Sequence, residues 1–146
     1  MKVLLDTNVY ITALKSKEER ERFRTTFFPL LPATVLSAVV AYELSVSAAD
    51  TRTRDLLADF VAPMERVGRV ITPTFEDWQA AVNIVSLIGH KGSAWKSKLP
   101  KLLNDVLIAL GARRVGAEVI TYNAVDFRLI RRHLEFSLRT LAPKGL

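Results

Sequence analysis

The chain has no cysteine, and that absence removes disulfides, thiolate metal sites and zinc fingers at one stroke. It also agrees with a reducing compartment. Histidine is scarce: His90 stands in Gly89-His90-Lys91-Gly92-Ser93, an expected exposed loop, and His133 follows Arg131 and Arg132. Imidazoles so placed do not form the acid and base pair that metal-free RNA cleavage needs. Long apolar runs are missing as well. None approaches the ~18 residues of a membrane span. The few apolar residues between Lys2 and Asp6 are too short a run for a signal-peptide core. A cytoplasmic location and no membrane partner are the resulting expectations. Gly/Ser/Pro-rich tracts, internal repeats and linkers are also lacking, so a single domain over 1–146 is expected, with disorder confined to 142–146.

What the chain does have is a positive charge excess and solitary acids in apolar surroundings. The formal charge of +6 implies an anionic partner, because such a field draws polyanions over a Debye length. Basic residues gather at Arg52 and Arg54, at Lys91, Lys96, Lys98 and Lys101, at Arg113 and Arg114, and at Arg128, Arg131 and Arg132, with Trp95 and Phe127 among them. Any one of these clusters is equally readable as a solvated surface. Hydrophobic residues make up 49% of the chain, enough for a sizeable core.

Apolar, β-prone runs at 2–5, 33–36, 69–72 and 118–121, with a weaker fifth at 137–141, alternate with helical patterns. Helices are expected near 9–14 and 17–27, from a Ser37 cap to about 48, over 51–61, from a Thr74 cap to 88, and over 99–115 and 125–134. Pro29 and Pro32 break the chain before the second strand. Gly111 with Gly116 is expected to loosen and end the helix before the fourth. Strand and helix in alternation imply parallel pairing with right-handed crossovers. The expected fold is α/β, a three-layer α/β/α sandwich around a mostly parallel sheet of four to five strands.

In such a sheet ligands bind beyond the carboxyl ends of the strands. Asp6 closes the first apolar run there, in Val3-Leu4-Leu5-Asp6-Thr7-Asn8. Glu43, in Ala41-Tyr42-Glu43-Leu44, and Asp105, in Asn104-Asp105-Val106-Leu107-Ile108-Ala109, are also lone acids among apolar residues, where an unpaired charge is costly. A metal ion is the simplest compensator, and a hard cation takes oxygen ligands. After the fourth run comes Thr121-Tyr122-Asn123-Ala124-Val125-Asp126-Phe127. Each acid has a plainer alternative. Asp6 would serve as a helix cap, Glu43 as a surface residue of an Ala/Val helix, and Asp105 as a solvated residue at the edge of the stripe Leu102, Leu103, Val106 and Leu110. Asn123 or Asp126 would serve as a turn residue or cap.

The order of these pieces resembles the PIN-domain nucleases and, more narrowly, the VapC-type toxins of bacterial and archaeal toxin–antitoxin pairs. The resemblance runs from Val3 to Phe127. It rests on Leu4-Leu5-Asp6-Thr7-Asn8, on Glu43-Leu44 six residues after Ser37, on Asp105-Val106-Leu107-Ile108-Ala109 and on Thr121 to Phe127. It implies a Mg²⁺- or Mn²⁺-dependent endoribonuclease whose catalytic, metal-binding acids are Asp6, Glu43 and Asp105, leaving a 3′-hydroxyl and a 5′-phosphate. Where many members carry a fourth carboxylate this chain has Asn123, which keeps an oxygen but loses the charge. Asp126 is expected to stand in, as a catalytic and metal-binding residue. Thr7, Asn8 and Thr121 are expected to orient Asp6 or to contact the scissile phosphate. Arg113, Arg114, Arg128 and Lys101 are expected to meet the RNA backbone. The implied partners are an RNA substrate, a cognate antitoxin protein and a second copy in a homodimer. Segment 17–31, with Phe23, Phe27, Phe28, Leu30 and Leu31, is expected to form a groove with 51–61. An antitoxin helix lying there would point a basic side chain toward Asp6 and Asp105.

Two other functions account for less of the chain. A non-catalytic PIN-like RNA-binding scaffold would explain the Asn123 departure but not the retained acids. A phosphoryl-transfer enzyme or a receiver domain would also place an Asp after the first strand. Yet Asn8 stands where a haloacid-dehalogenase-type phosphatase needs a second Asp, and the acidic pair of a receiver is missing.

Overall fold

Side chains along the first strand point alternately to two cores, and this alternation sets the layers. The computed structural model describes residues 1–89 and 93–142. In β1 (Lys2–Leu5), Leu4 joins the larger core, while Val3 and Leu5 enter a smaller one on the opposite face with Phe27 and Ile120. Both faces of the sheet are thereby covered, as an all-parallel sheet requires. β1 lies between β2 (Thr34–Ser37) and β4 (Ala117–Thr121), with β3 (Val70–Ile71) and β5 (Leu138–Thr140) at the edges. Every pairing is parallel, in the order β3-β2-β1-β4-β5. The expected α/β sandwich is the observed fold, with five strands.

Seven helices connect the strands among the described residues: α1 (Thr7–Leu14), α2 (Lys17–Phe27), α3 (Ala38–Ser47), α4 (Thr51–Arg66), α5 (Phe75–Gly89), α6 (Leu99–Val115) and α7 (Ala124–Arg131). The central one is α6, whose nine buried residues run without a break from Asp105 to Ala112 after Leu102. A helix apolar on all sides belongs inside, not on a surface. Asp105 is therefore 0% exposed, which corrects its reading as an edge residue in water. Gly111 does not loosen this helix. It lies in mid-helix, where an added Cβ would meet Ile71 Cγ2 at 3.4 Å, so it admits the close approach of β3. Gly116 does end α6: at φ 69° it adopts the left-handed conformation that turns the chain directly into β4.

Other boundaries shift for identifiable reasons. α1 begins two residues earlier than expected because Asp6 caps it. α4 continues past Pro63 to Arg66, with Met64 buried in its last turn. That turn is closed by Gly68 N–H to the Glu65 carbonyl at 3.0 Å and Arg69 N–H to the Met64 carbonyl at 2.9 Å. α7 stops at Arg131, short of 134. The break at Pro29 and Pro32 takes the form of a 3₁₀ helix, Phe28–Ala33, and another, Ser93–Lys98, precedes α6. His90 and Lys91 of the expected loop, the Trp95 side chain and residues 143–146 lie outside the described residues.

The connections fix where a site can form. The chain runs outward from β1 through β2 to β3, then returns to place β4 on the other side of β1. The direction of winding reverses between β1 and β4, the point at which an open α/β sheet places its ligand crevice beyond the strands' carboxyl ends. Asp6 and Thr121 sit on its two sides.

Candidate active site

Asp6 follows β1 and caps α1, its Oδ1 accepting the Thr7 N–H at 2.8 Å. Its Oδ2 accepts the Thr121 hydroxyl at 2.7 Å, and its own N–H bonds the Ile120 carbonyl at 2.9 Å. This fully buried carboxylate is thus pinned to the ends of both central strands. Thr121 Oγ1 accepts in turn from Asn8 Nδ2 at 3.2 Å and from the Asn123 N–H at 2.9 Å, which exhausts the capacity of a hydroxyl. Asn8 Oδ1 receives the Tyr122 N–H at 3.2 Å. Thr7, Asn8 and Thr121 therefore surround Asp6 as orienting groups.

The second acid enters from the next layer. Ser37 caps α3, accepting the Val39 N–H at 3.1 Å, and the helix carries Glu43 to the crevice. There Glu43 Oε1 accepts the Thr7 hydroxyl at 2.7 Å. Asp105 arrives from α6, with Lys101 one turn before it on the same face. Lys101 Nζ donates to Asp105 Oδ1 at 2.9 Å and lies 3.6 Å from Glu43 Oε2. Asp105 Oδ2 is buried without a hydrogen-bond partner. One connected network thus joins Asp6, Glu43 and Asp105 through Thr7 and Lys101.

Its electrostatics follow from burial. Desolvation raises the pKa of Asp6, opposed by the Thr121 hydrogen bond, the Lys101 charge and the Thr7 N–H, and assisted by the Glu43 charge. Asp105 is pushed up to about 7, by desolvation first and then by Asp6 and Glu43, against the pull of Lys101. For Lys101 itself, desolvation lowers the pKa, but the charges of Asp105, Glu43 and Asp6 together with the Asp105 hydrogen bond outweigh it and hold the ammonium protonated. As the carboxylates lie, no three acidic or histidine side chains among the described residues close on a single point.

The other expected site residues are distributed unevenly. Asn123 and Asp126 bind each other: Asn123 Nδ2 donates to Asp126 Oδ2 at 2.9 Å, and Asn123 Oδ1 accepts the Asp126 N–H at 3.3 Å. This reciprocal cap starts α7 beside Thr121. Arg113 and Arg114 stand at the far end of α6, roughly 12–14 Å along the axis from Asp105. Arg114 is engaged there with Asp77 Oδ2 at 3.2 Å and the Thr72 carbonyl at 3.0 Å. Arg128, exposed on α7, reaches Thr140 Oγ1 at 3.4 Å. Lys101, expected on the surface to meet RNA, instead turns its head into the acids. Its spacing of four from Asp105 on a helix is a signal that sequence reading passed over.

A match to the PIN domain family spans residues 3–132. The chain belongs to that family. Among curated proteins, no sequence matches this PIN domain chain. Its fold is similar to a FitAB complex bound to an IR36 DNA fragment, at 18% identity and a TM-score of 0.66, with 98% of this chain and 99% of that chain covered. It is also similar to FitAcB from Neisseria gonorrhoeae, at 18% identity, a TM-score of 0.61 and coverage of 93% and 95%. VapBC2 from Rickettsia felis, bound to a DNA fragment from its promoter, aligns at 18% identity with a TM-score of 0.61 and coverage of 96% and 98%.

This PIN domain also carries an apolar groove of about 240 Å³, walled by Tyr10 and Leu14 of α1, Phe23 of α2, and Leu56 and Phe60 of α4. The groove joins α2 to α4 as expected, but of the five residues expected there only Phe23 lines it; Phe27, Phe28, Leu30 and Leu31 do not. At 7% exposure Phe27 belongs to the smaller core, its ring tilted 46° to that of Phe23 at 5.3 Å between centroids. The Tyr10 hydroxyl is buried beside the groove without a hydrogen-bond partner, and burial raises its pKa. Among the described residues no helix is long and apolar enough to cross a membrane.

Proposed function

We propose that this chain, as one domain over 1–146, is a divalent-metal-dependent endoribonuclease and the toxin of a toxin–antitoxin pair. The observation that carries the reading is the network in which Lys101 pairs with Glu43 and Asp105 while Thr7 bonds both Glu43 and Asp6, at the reversal point of the sheet, with Asp105 Oδ2 left unpartnered. That bare oxygen and the all-oxygen donor set fit a hard cation such as Mg²⁺ or Mn²⁺, held by Asp6, Glu43 and Asp105. When bound, such an ion supplies an acidified water and charge neutralisation at the phosphate.

The chain's own groups do the remaining work. Thr121 and the Thr7 N–H fix the Asp6 rotamer, and the Thr7 hydroxyl fixes Glu43, so the catalytic carboxylates enter the crevice preoriented. Without metal, Asp105 holds a proton near neutrality, which limits repulsion among the acids. Asn123 and Asp126, whose mutual cap engages Asn123 Oδ1 and Asp126 Oδ2, are the pair that would supply a further oxygen. The exposed Arg128 of α7, the helix that starts beside Thr121, offers charge to an RNA backbone running past the crevice, whereas Arg113 lies at the far end of α6.

The groove supports an antitoxin partner. It presents apolar side chains that the apolar face of a partner helix would cover. FitAB and VapBC are themselves two-component assemblies with the same fold. A homodimer and a cytoplasmic location belong to the same reading.

The test is to incubate the purified chain with RNA in Mg²⁺ and in EDTA. Fragments bearing 5′-phosphates in Mg²⁺ and intact RNA in EDTA are expected. Intact RNA in both, with the chain folded, would leave the non-catalytic scaffold as the better reading.

A further inference from the structure

We infer that Lys101 is a tethered cation that holds the metal's place in the metal-free chain, so that a divalent ion enters by displacing its ammonium. The inference rests on the metal-site reading above. Lys101 Nζ touches Asp105 Oδ1 at 2.9 Å and Glu43 Oε2 at 3.6 Å, and its charge also acts on Asp6. A single group thus pairs directly with two of the three acids.

The compensation is incomplete in a way that favours exchange. An ammonium offers three donors, and here it leaves Asp105 Oδ2 bare. A divalent ion carries twice the charge and accepts about six oxygens. The acids would therefore exchange the ammonium for the ion when one is present. The fold permits the swap, because the Lys101 side chain is 51% exposed while Asp105 is wholly buried. Its stem can swing into water without opening the core. Once released, the ammonium remains tethered one helical turn from Asp105, at the mouth of the crevice.

Displacement differs from two simpler roles in what it predicts. A lysine that braces Asp105 for the metal would aid metal binding, and a surface lysine would not affect it. A competitor opposes it, and its removal also leaves the metal-free acids uncompensated.

The experiment is calorimetric titration of Mn²⁺ into the full chain as wild type, Lys101→Gln and Lys101→Arg, in one buffer at matched pH, with Tm measured with and without Mn²⁺. Lys101→Met, which keeps the apolar stem, replaces Lys101→Gln if the latter fails to fold. Lys101→Gln is expected to bind Mn²⁺ roughly three- to ten-fold more tightly, the range set by a partly exposed ion pair. Lys101→Arg should stay near wild type. Lys101→Gln should also melt below wild type without metal and lose that deficit in saturating Mn²⁺. Equal or weaker Mn²⁺ binding by Lys101→Gln overturns displacement and leaves the metal site standing. Absence of Mn²⁺ binding in every variant, wild type included, overturns the metal site and the inference together.

Discussion

The Thr121 hydroxyl donates to Asp6 Oδ2 at 2.7 Å, tying the carboxyl end of β4 to that of β1 at the one place where the sheet's winding reverses. Asn8 reinforces the same junction, donating to Thr121 Oγ1 and accepting the Tyr122 N–H. Thr121→Val would remove the donor and strand a buried carboxylate oxygen, at a cost of about 1–3 kcal/mol. Urea denaturation should register that loss. Thr121→Ser, which keeps the hydroxyl, should recover most of it.

The raised pKa of Asp105 gives metal-free stability a defined pH dependence. The value rises from 3.8 in the unfolded chain to about 7 in the folded one, so between those limits the folded state binds more protons. Unfolding free energy from this group must then fall as pH climbs from about 4 to about 7 and level off above. Asp6, also raised, adds in the same direction. Asp105→Asn should flatten the slope and leave the metal-free chain more stable than wild type at about pH 8. Thermal melts across this range in EDTA check both statements.

Much of this was legible in sequence because it depends on local pattern. The strand runs, the parallel alternation and the acid after β1 follow from periodicity and from where a βα turn falls. Other features depend on tertiary placement, which periodicity does not encode. Asp105 looked like an edge residue because α6 was judged by a stripe, but burial on every side, including β3 against Gly111, removes any solvated edge. Phe27 looked like groove surface because the aromatic content of α2 exceeded what one helix face needs. The surplus is consumed by the smaller core under the sheet. Lys101 is the instructive case: its side chain is half exposed, and its spacing of four from Asp105 is what ties its ammonium to the acids.

Asn123 and Asp126 offer a third prediction. Asn123→Asp keeps an oxygen to cap α7 but replaces the bond to Asp126 Oδ2 with repulsion, which a metal would relieve. Mn²⁺ should therefore bind more tightly to Asn123→Asp than to wild type, while the metal-free variant loses stability. If Asp126 acts as the surrogate ligand, Asp126→Ala should weaken Mn²⁺ binding more than Asn123→Ala. The opposite ranking in calorimetry would transfer the role to Asn123.

The groove separates binding from folding. Leu56, 56% exposed on α4, contributes little to the core, so Leu56→Asp should fold normally yet fail to retain the neighbouring gene product in a co-expression pull-down. Phe27→Asp should instead unfold the chain, since it buries a charge in the smaller core. A folded Leu56→Asp chain that still holds its neighbour would move the partner elsewhere.

The most direct measurement is the initial rate of RNA cleavage in Mg²⁺ by wild type and by Asp105→Asn at about pH 8, where Asp105 is ionised. That variant changes one charge, keeps the volume of the side chain and should fold at least as well as wild type. A metal centre built on Asp6, Glu43 and Asp105 predicts a loss of about 10²-fold or more. An undiminished rate from a folded Asp105→Asn chain would contradict it.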